Sequence, residues 1–138
     1  MSYRLLDHAT DAVIEVTASD LNEAFTIAGI SVVDITLNPK LVEEKEEKTL
    51  TVSGKDLRYL LYNWLEEVIY QLITEGFAIA RFSLDISKDS IYTINAKIYG
   101  EKIDLEKHHY KIEIKAPTFH EMKIEQNSGV TLQFLLDL

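Results

Sequence analysis

The chain has 138 residues, 46% of them hydrophobic, no cysteine and a formal net charge of −9. That length suits one domain, 1–138, with a real core, and the missing cysteines rule out disulfides, thiolate metal sites and thiol nucleophiles. The acidic balance argues against broad nucleic-acid binding, which needs Lys and Arg against phosphate, and no apolar run approaches the ~20 residues of a membrane span.

Tyr3–Leu6 is a short strand leading into Asp7-His8-Ala9-Thr10-Asp11. Met1-Ser2-Tyr3-Arg4 has none of the regions of a signal peptide, which points to the cytoplasm. In the next strand, Ala12, Ile14 and Val16 alternate with Val13, Glu15 and Thr17, so Asp11 falls on the polar side. Ser19 or Asp20 caps a helix over about Leu21 to Ile35, whose stripe is Leu21, Phe25, Ala28, Val32 and Ile35. Asn38-Pro39 ends it. Leu41–Lys48, with its run of Glu and Lys, reads as a charged connector or an exposed strand edge. Leu50 and Val52 alternate with Thr49 and Thr51 in a further strand.

Lys55–Glu75 is the strongest helical pattern, with Leu57, Leu60, Leu61, Trp64, Leu65, Val68, Ile69, Leu72 and Ile73 on one broad stripe. Ser53 and Asp56 read as a capping box, and Gly76 as the stop. Trp64, the only tryptophan, sits in mid-stripe and is expected in the core. Beyond Gly76 the period changes to two. Phe82, Leu84 and Ile86 form one strand and Tyr92, Ile94, Ala96 and Ile98 the next, closed by Gly100. Glu101–Lys107 reads as a polar connection and Tyr110, Ile112 and Ile114 as the inner face of another strand. Met122 and Ile124 lie in the one after it. Asn127-Ser128-Gly129 is a hairpin turn into the last strand, Val130–Leu138. Two helices on about eight mostly antiparallel strands make an α+β domain, with the helices covering one sheet face.

No P-loop, GxGxxG, HExxH or GxSxG occurs, so the common nucleotide and hydrolase signatures are missing. Of the histidines, His120 shares the parity of Met122 and Ile124 and is expected at the core edge, while of His108 and His109 only one ring can point inward. Asp7 and Asp11 either bracket a cation or cap turns through Asx hydrogen bonds. Asp137 lies on the polar side of the last strand, and the carboxylate of Leu138 follows it. If the first and last strands are neighbours, three oxygen donors meet, the hard site that Ca²⁺ or Mg²⁺ takes.

Five blocks in register then carry a resemblance. Asp7-His8-Ala9-Thr10-Asp11, Leu60-Leu61-Tyr62-Asn63-Trp64-Leu65, Gly100-Glu101, Lys115-Ala116-Pro117-Thr118-Phe119-His120 and Leu136-Asp137-Leu138 resemble the D/E-H-T-A-D, L-L-x-x-W-L, G-E, K-A-x-T-x-H and terminal D-I blocks of the archease family. Ala9-Thr10 reverses the family's Thr-Ala, and Ala12-Val13 replaces its Ile-Gly, with no carboxylate lost. The resemblance implies a non-enzymatic activator of an RtcB-type tRNA-splicing ligase, promoting the ligase's GTP-dependent guanylylation and multiple turnover and meeting tRNA only through it. It also implies a divalent metal, Ca²⁺ or Mg²⁺/Mn²⁺, on Asp11, Asp137 and Leu138, with Asp7, His8, Lys115 and His120 as further partner or supporting residues. Two alternatives stay open: a chaperone-like modulator of a tRNA methyltransferase, and a stand-alone metal-dependent hydrolase with His8 or His120 as general base.

Overall fold

The computed structural model describes residues 1–6 and 11–138. Its strands are β1 (Ser2–Leu6), β2 (Asp11–Ala18), β3 (Glu46–Gly54), β4 (Phe77–Lys88), β5 (Tyr92–Lys102), β6 (Ala116–Glu125) and β7 (Val130–Asp137). They form two sheets, β1-β2-β7-β6 and β3-β5-β4, in which every pairing is antiparallel. Helices α1 (Leu21–Thr36) and α2 (Leu57–Ile69) touch each other, and each touches both sheets. The helix pair therefore packs on the inner faces of two sheets, where one sheet with one covered face was expected.

The expected caps resolve to single residues. Asp20 accepts the Glu23 amide at 2.8 Å, while the Glu23 carboxylate accepts the Ser19 amide at 2.9 Å. At α2 the cap is Asp56 alone, accepting from the Tyr59 amide at 2.9 Å, and Ser53 belongs to β3. The helix stops being α-helical at Ile69 and runs on as a π turn over Tyr70–Thr74, so the expected Lys55–Glu75 helix is two kinds of helix in series. Gly76, at φ 62°, ends it in the left-handed conformation that costs other residues a steric clash.

The central stripe of each helix is buried. Phe25, Ala28 and Val32 of α1 are enclosed, as are Leu60, Leu61, Trp64, Leu65 and Val68 of α2. The ring of Trp64 meets Phe82 of β4 edge-on at 5.7 Å, and its Nε1 donates to the Phe25 carbonyl of α1 at 2.9 Å. One side chain thus ties both helices to a sheet.

Two further expectations fail. No strand forms at Tyr110–Ile114, because that segment uses its polar groups to close the C-terminal end of α1. Lys111 donates its amide to Thr36 O and its Nζ to Asp34 O, both at 2.8 Å, and His108 O accepts the Asn38 amide. Ile114 is buried there, while Ile112 is exposed. His120, expected at the core edge, is exposed. Between Thr118 and Lys123, β6 takes five residue steps while β7 takes two, from Leu135 to Gln133, with Glu121 at φ 60°. Three surplus residues, an odd number, break the alternation on which the parity argument relied.

Candidate functional site

The chain's two ends meet across one ladder. β2 pairs with β7, and the register sets Asp11 directly opposite Asp137, Ala12 opposite Leu136 and Val13 opposite Leu135. On the other side of β7, Asp137 is opposite Ala116, and its carbonyl accepts the Lys115 amide at 2.9 Å. Residues that stand opposite in an antiparallel pair share a face, with Cβ atoms ~5 Å apart, and two carboxylates so placed repel unless a cation sits near them. Asp11 is half-buried, Asp137 and Lys115 are exposed, and Leu138 is half-buried against the core.

Two hard oxygen donors in one register position suit a cation of the Ca²⁺ or Mg²⁺ kind, which also takes main-chain oxygens and water. Among the described residues no three His, Asp or Glu side chains gather closely enough to hold a metal, so the fit extends to a carboxylate pair supplemented by such oxygens. Asp7 and His8 lie outside the described residues. His120 stands on the bulged stretch of β6, its amide donating to Thr118 Oγ1 at 3.2 Å.

A second polar centre was missed. Glu101, assigned from sequence to a polar connection, is the next-to-last residue of β5 and is buried. Its carboxylate accepts the Glu43 amide at 2.9 Å and the ammonium of Lys107 at 2.8 Å, and it meets His108 Nε2 at 2.9 Å. His108 is fully enclosed, and its Nδ1 accepts the Asp104 amide at 3.0 Å, so the ring proton lies on Nε2 and points at Glu101. The Glu43 amide first, then Lys107 and His108, hold the Glu101 carboxyl far below the usual carboxylate range. Asp104 is also held low, mainly by the Lys107 amide. The only sequence signals were Gly100-Glu101 and the His108-His109 pair, and neither says which element each residue joins. A third contact links β1 to α1: the Tyr3 hydroxyl donates to Asp34, and burial, then that carboxylate, pushes the phenol upward.

The model of the Archease protein family (MTH1598/TM1083) matches residues 3–138. The chain belongs to the archease family. The archease of Pyrococcus abyssi is 42% identical over 121 residues, 87% of this chain and 85% of that one. The archease of Pyrobaculum islandicum is 36% identical over 141 residues, 100% of this chain and 96% of that protein. The solution structure of Methanobacterium thermoautotrophicum protein 1598 superimposes with a TM-score of 0.85 at 30% identity, covering 99% of each chain. The crystal structure of a Thermotoga maritima archease, described as a possible chaperone, shares the archease fold at a TM-score of 0.64 and 17% identity, over 96% of this chain and 94% of that one.

Proposed function

We propose that this member of the archease family is an accessory factor that activates an RtcB-type tRNA-splicing ligase in the cytoplasm. It promotes GTP-dependent guanylylation and multiple turnover of the ligase, catalyses nothing alone, and reaches tRNA only through the ligase. A divalent cation, Ca²⁺ or Mg²⁺/Mn²⁺, is held by Asp11, Asp137 and a main-chain oxygen of Leu138. The observation that carries the reading is the register that sets Asp11 opposite Asp137. A cation there supplies fixed positive charge, of use to phosphate or carboxylate oxygens of a partner. The chain's own residues do the rest: the two aspartates orient that charge from a rigid ladder, and the exposed Lys115, its amide bound to the Asp137 carbonyl, adds a second positive charge to the neighbourhood.

Thermal melts with and without Ca²⁺ or Mn²⁺ test the site. A ligand at a hundred times its dissociation constant stabilises the folded form by about 2.7 kcal/mol. Asp11→Asn and Asp137→Asn should each abolish the metal-dependent rise in Tm, and the double variant should add little because both act on one ion. The same variants, folded, should fail to stimulate guanylylation of the ligase. Variants that bind metal as the wild type does would remove the site. Variants that lose the metal yet stimulate normally would leave it structural. Steady GTP turnover by the purified protein, lost in Asp11→Asn, would favour the stand-alone hydrolase instead.

A further inference from the structure

Among the described residues, strand β3 is an edge of the three-stranded sheet, with β5 as its only neighbour. An edge strand turns one row of N–H and C=O groups away from its sheet, and proteins commonly blunt such edges with charge, proline or a bulge. The first half of β3 follows that pattern with Glu46, Glu47 and Lys48. The second half does not. Thr49-Leu50-Thr51-Val52-Ser53 carries no charge and no proline, and its register with β5 runs unbroken from Glu46 to Gly54.

This uncharged half borders a groove of about 550 Å³ between β3 and α2. Thr51, Val52 and Ser53 form one wall, and Asn63, Glu66, Glu67 and the π-turn residue Tyr70 the other. The spacing 63, 66, 67, 70 puts those four side chains in one row along the helix. Asn63 Nδ2 donates to the Ser53 carbonyl at 2.8 Å, so α2 engages one group of β3 from the groove side. Tyr70 is 45% exposed, a large amphipathic ring at the end of the row. Among the described residues, Glu67 accepts only from the Gln71 side-chain amide, and no Lys or Arg pairs with Glu66 or Glu67.

We infer that the groove between β3 and α2 binds an extended, lysine- or arginine-bearing segment of a protein partner, which adds to the sheet as a fourth strand beside β3. Main-chain pairing with the outward groups along Thr49–Ser53, except the Ser53 carbonyl that Asn63 holds, over a run of about 17 Å at ~3.3 Å per residue, gives the segment its direction and register. Basic side chains that alternate toward α2 reach Glu66 and Glu67, and an apolar one rests on Tyr70. The acidic wall rejects an acidic segment and nucleic acid by like charge. The surface stands on β3 and α2, apart from the Asp11–Asp137 ladder, so the two can fail separately.

The test uses the whole protein and an eight-residue peptide of alternating lysine and valine. Three controls accompany it: a glutamate–valine peptide of equal length, the lysine–valine peptide with alternate amides N-methylated, and the protein without peptide across a concentration series. The readouts are a fluorescence-anisotropy titration and amide hydrogen exchange. The expected result is saturable binding of the basic peptide alone, slower exchange confined to Thr49–Ser53, and at least tenfold weaker binding after N-methylation. The variant Glu66→Gln/Glu67→Gln, kept folded by its unchanged core, should bind at least tenfold more weakly at low salt and converge on the wild type as salt screens the charges. Equal binding of the acidic peptide, tolerance of N-methylation, or protection mapped to another surface would overturn the proposal. Slower exchange at Thr49–Ser53 that grows with protein concentration and no peptide would overturn it too, assigning the edge to a second copy of the chain.

Discussion

Trp64 shows how much one residue can carry. It is completely enclosed, packs edge-on against Phe82, and satisfies its indole N–H on a carbonyl of the neighbouring helix. Trp64→Ala deletes that contact, leaves a cavity and removes the second donor to the Phe25 carbonyl, at a cost of about 3–5 kcal/mol. Chemical denaturation should show the loss in full, and an unchanged midpoint would mean the pocket collapses around the gap. Glu101 acts through charge. Its carboxyl is held far below the value it has in an unfolded chain, ~4.3, so its ionised form stabilises the fold at all pH above that. The contribution is lost as pH falls below ~4.3 toward the depressed folded value, because the folded state must then take up a proton it binds poorly. Glu101→Gln should therefore be less stable than wild type at pH 7, and the gap should narrow as pH is lowered from 5 to 3. Equal gaps at both ends of that range would show that charge is not what the cluster uses.

At the level of elements, the sheet carrying Glu101 depends on a glycine for a steric reason. A Cβ on Gly100 would lie 1.8 Å from the Ala78 carbonyl oxygen, where β4 makes the irregularity between Ile79 and Arg81. Gly100→Ala must push β4 off β5, and overpacking of that kind costs about 1–3 kcal/mol or more. Faster amide exchange in both strands, with β7 unaffected, is the expected signature; uniform protection would mean that the bulge absorbs the methyl group. A different economy governs the segment after β5. The sequence pattern at Tyr110, Ile112 and Ile114 is that of a strand, but the segment joins neither sheet. It serves the last carbonyls of α1 instead, since a helix end left without donors is expensive. Alternation describes what a segment can do on a sheet, and the partners its main chain meets decide whether it does so.

Across the whole molecule, residue spacing was enough to set the two helices, nearly all the strands and the α+β class. Those rest on spacing, which acts locally: period 3.6 for α1 and α2, period two for β2, β5 and β7, with Asp20, Asp56 and Gly76 marking ends. The burial of Trp64 was legible for the same reason, being the middle of a stripe. The polar sides of Asp11 and Asp137 were legible too, but not their meeting. That took the tertiary structure, because 126 positions separate them and only the pairing of β2 with β7 sets one against the other. The division into two sheets, the exposure of His120 and the burial of His108 on Glu101 were likewise tertiary decisions. A bulge of three residues has no local signature that fixes its position, and Glu101 is held only where the fold brings the distant Glu43 amide and the His108 ring onto its carboxylate. Local chemistry selects the elements. Which polar groups face each other is set by the register and docking that bury the most apolar surface.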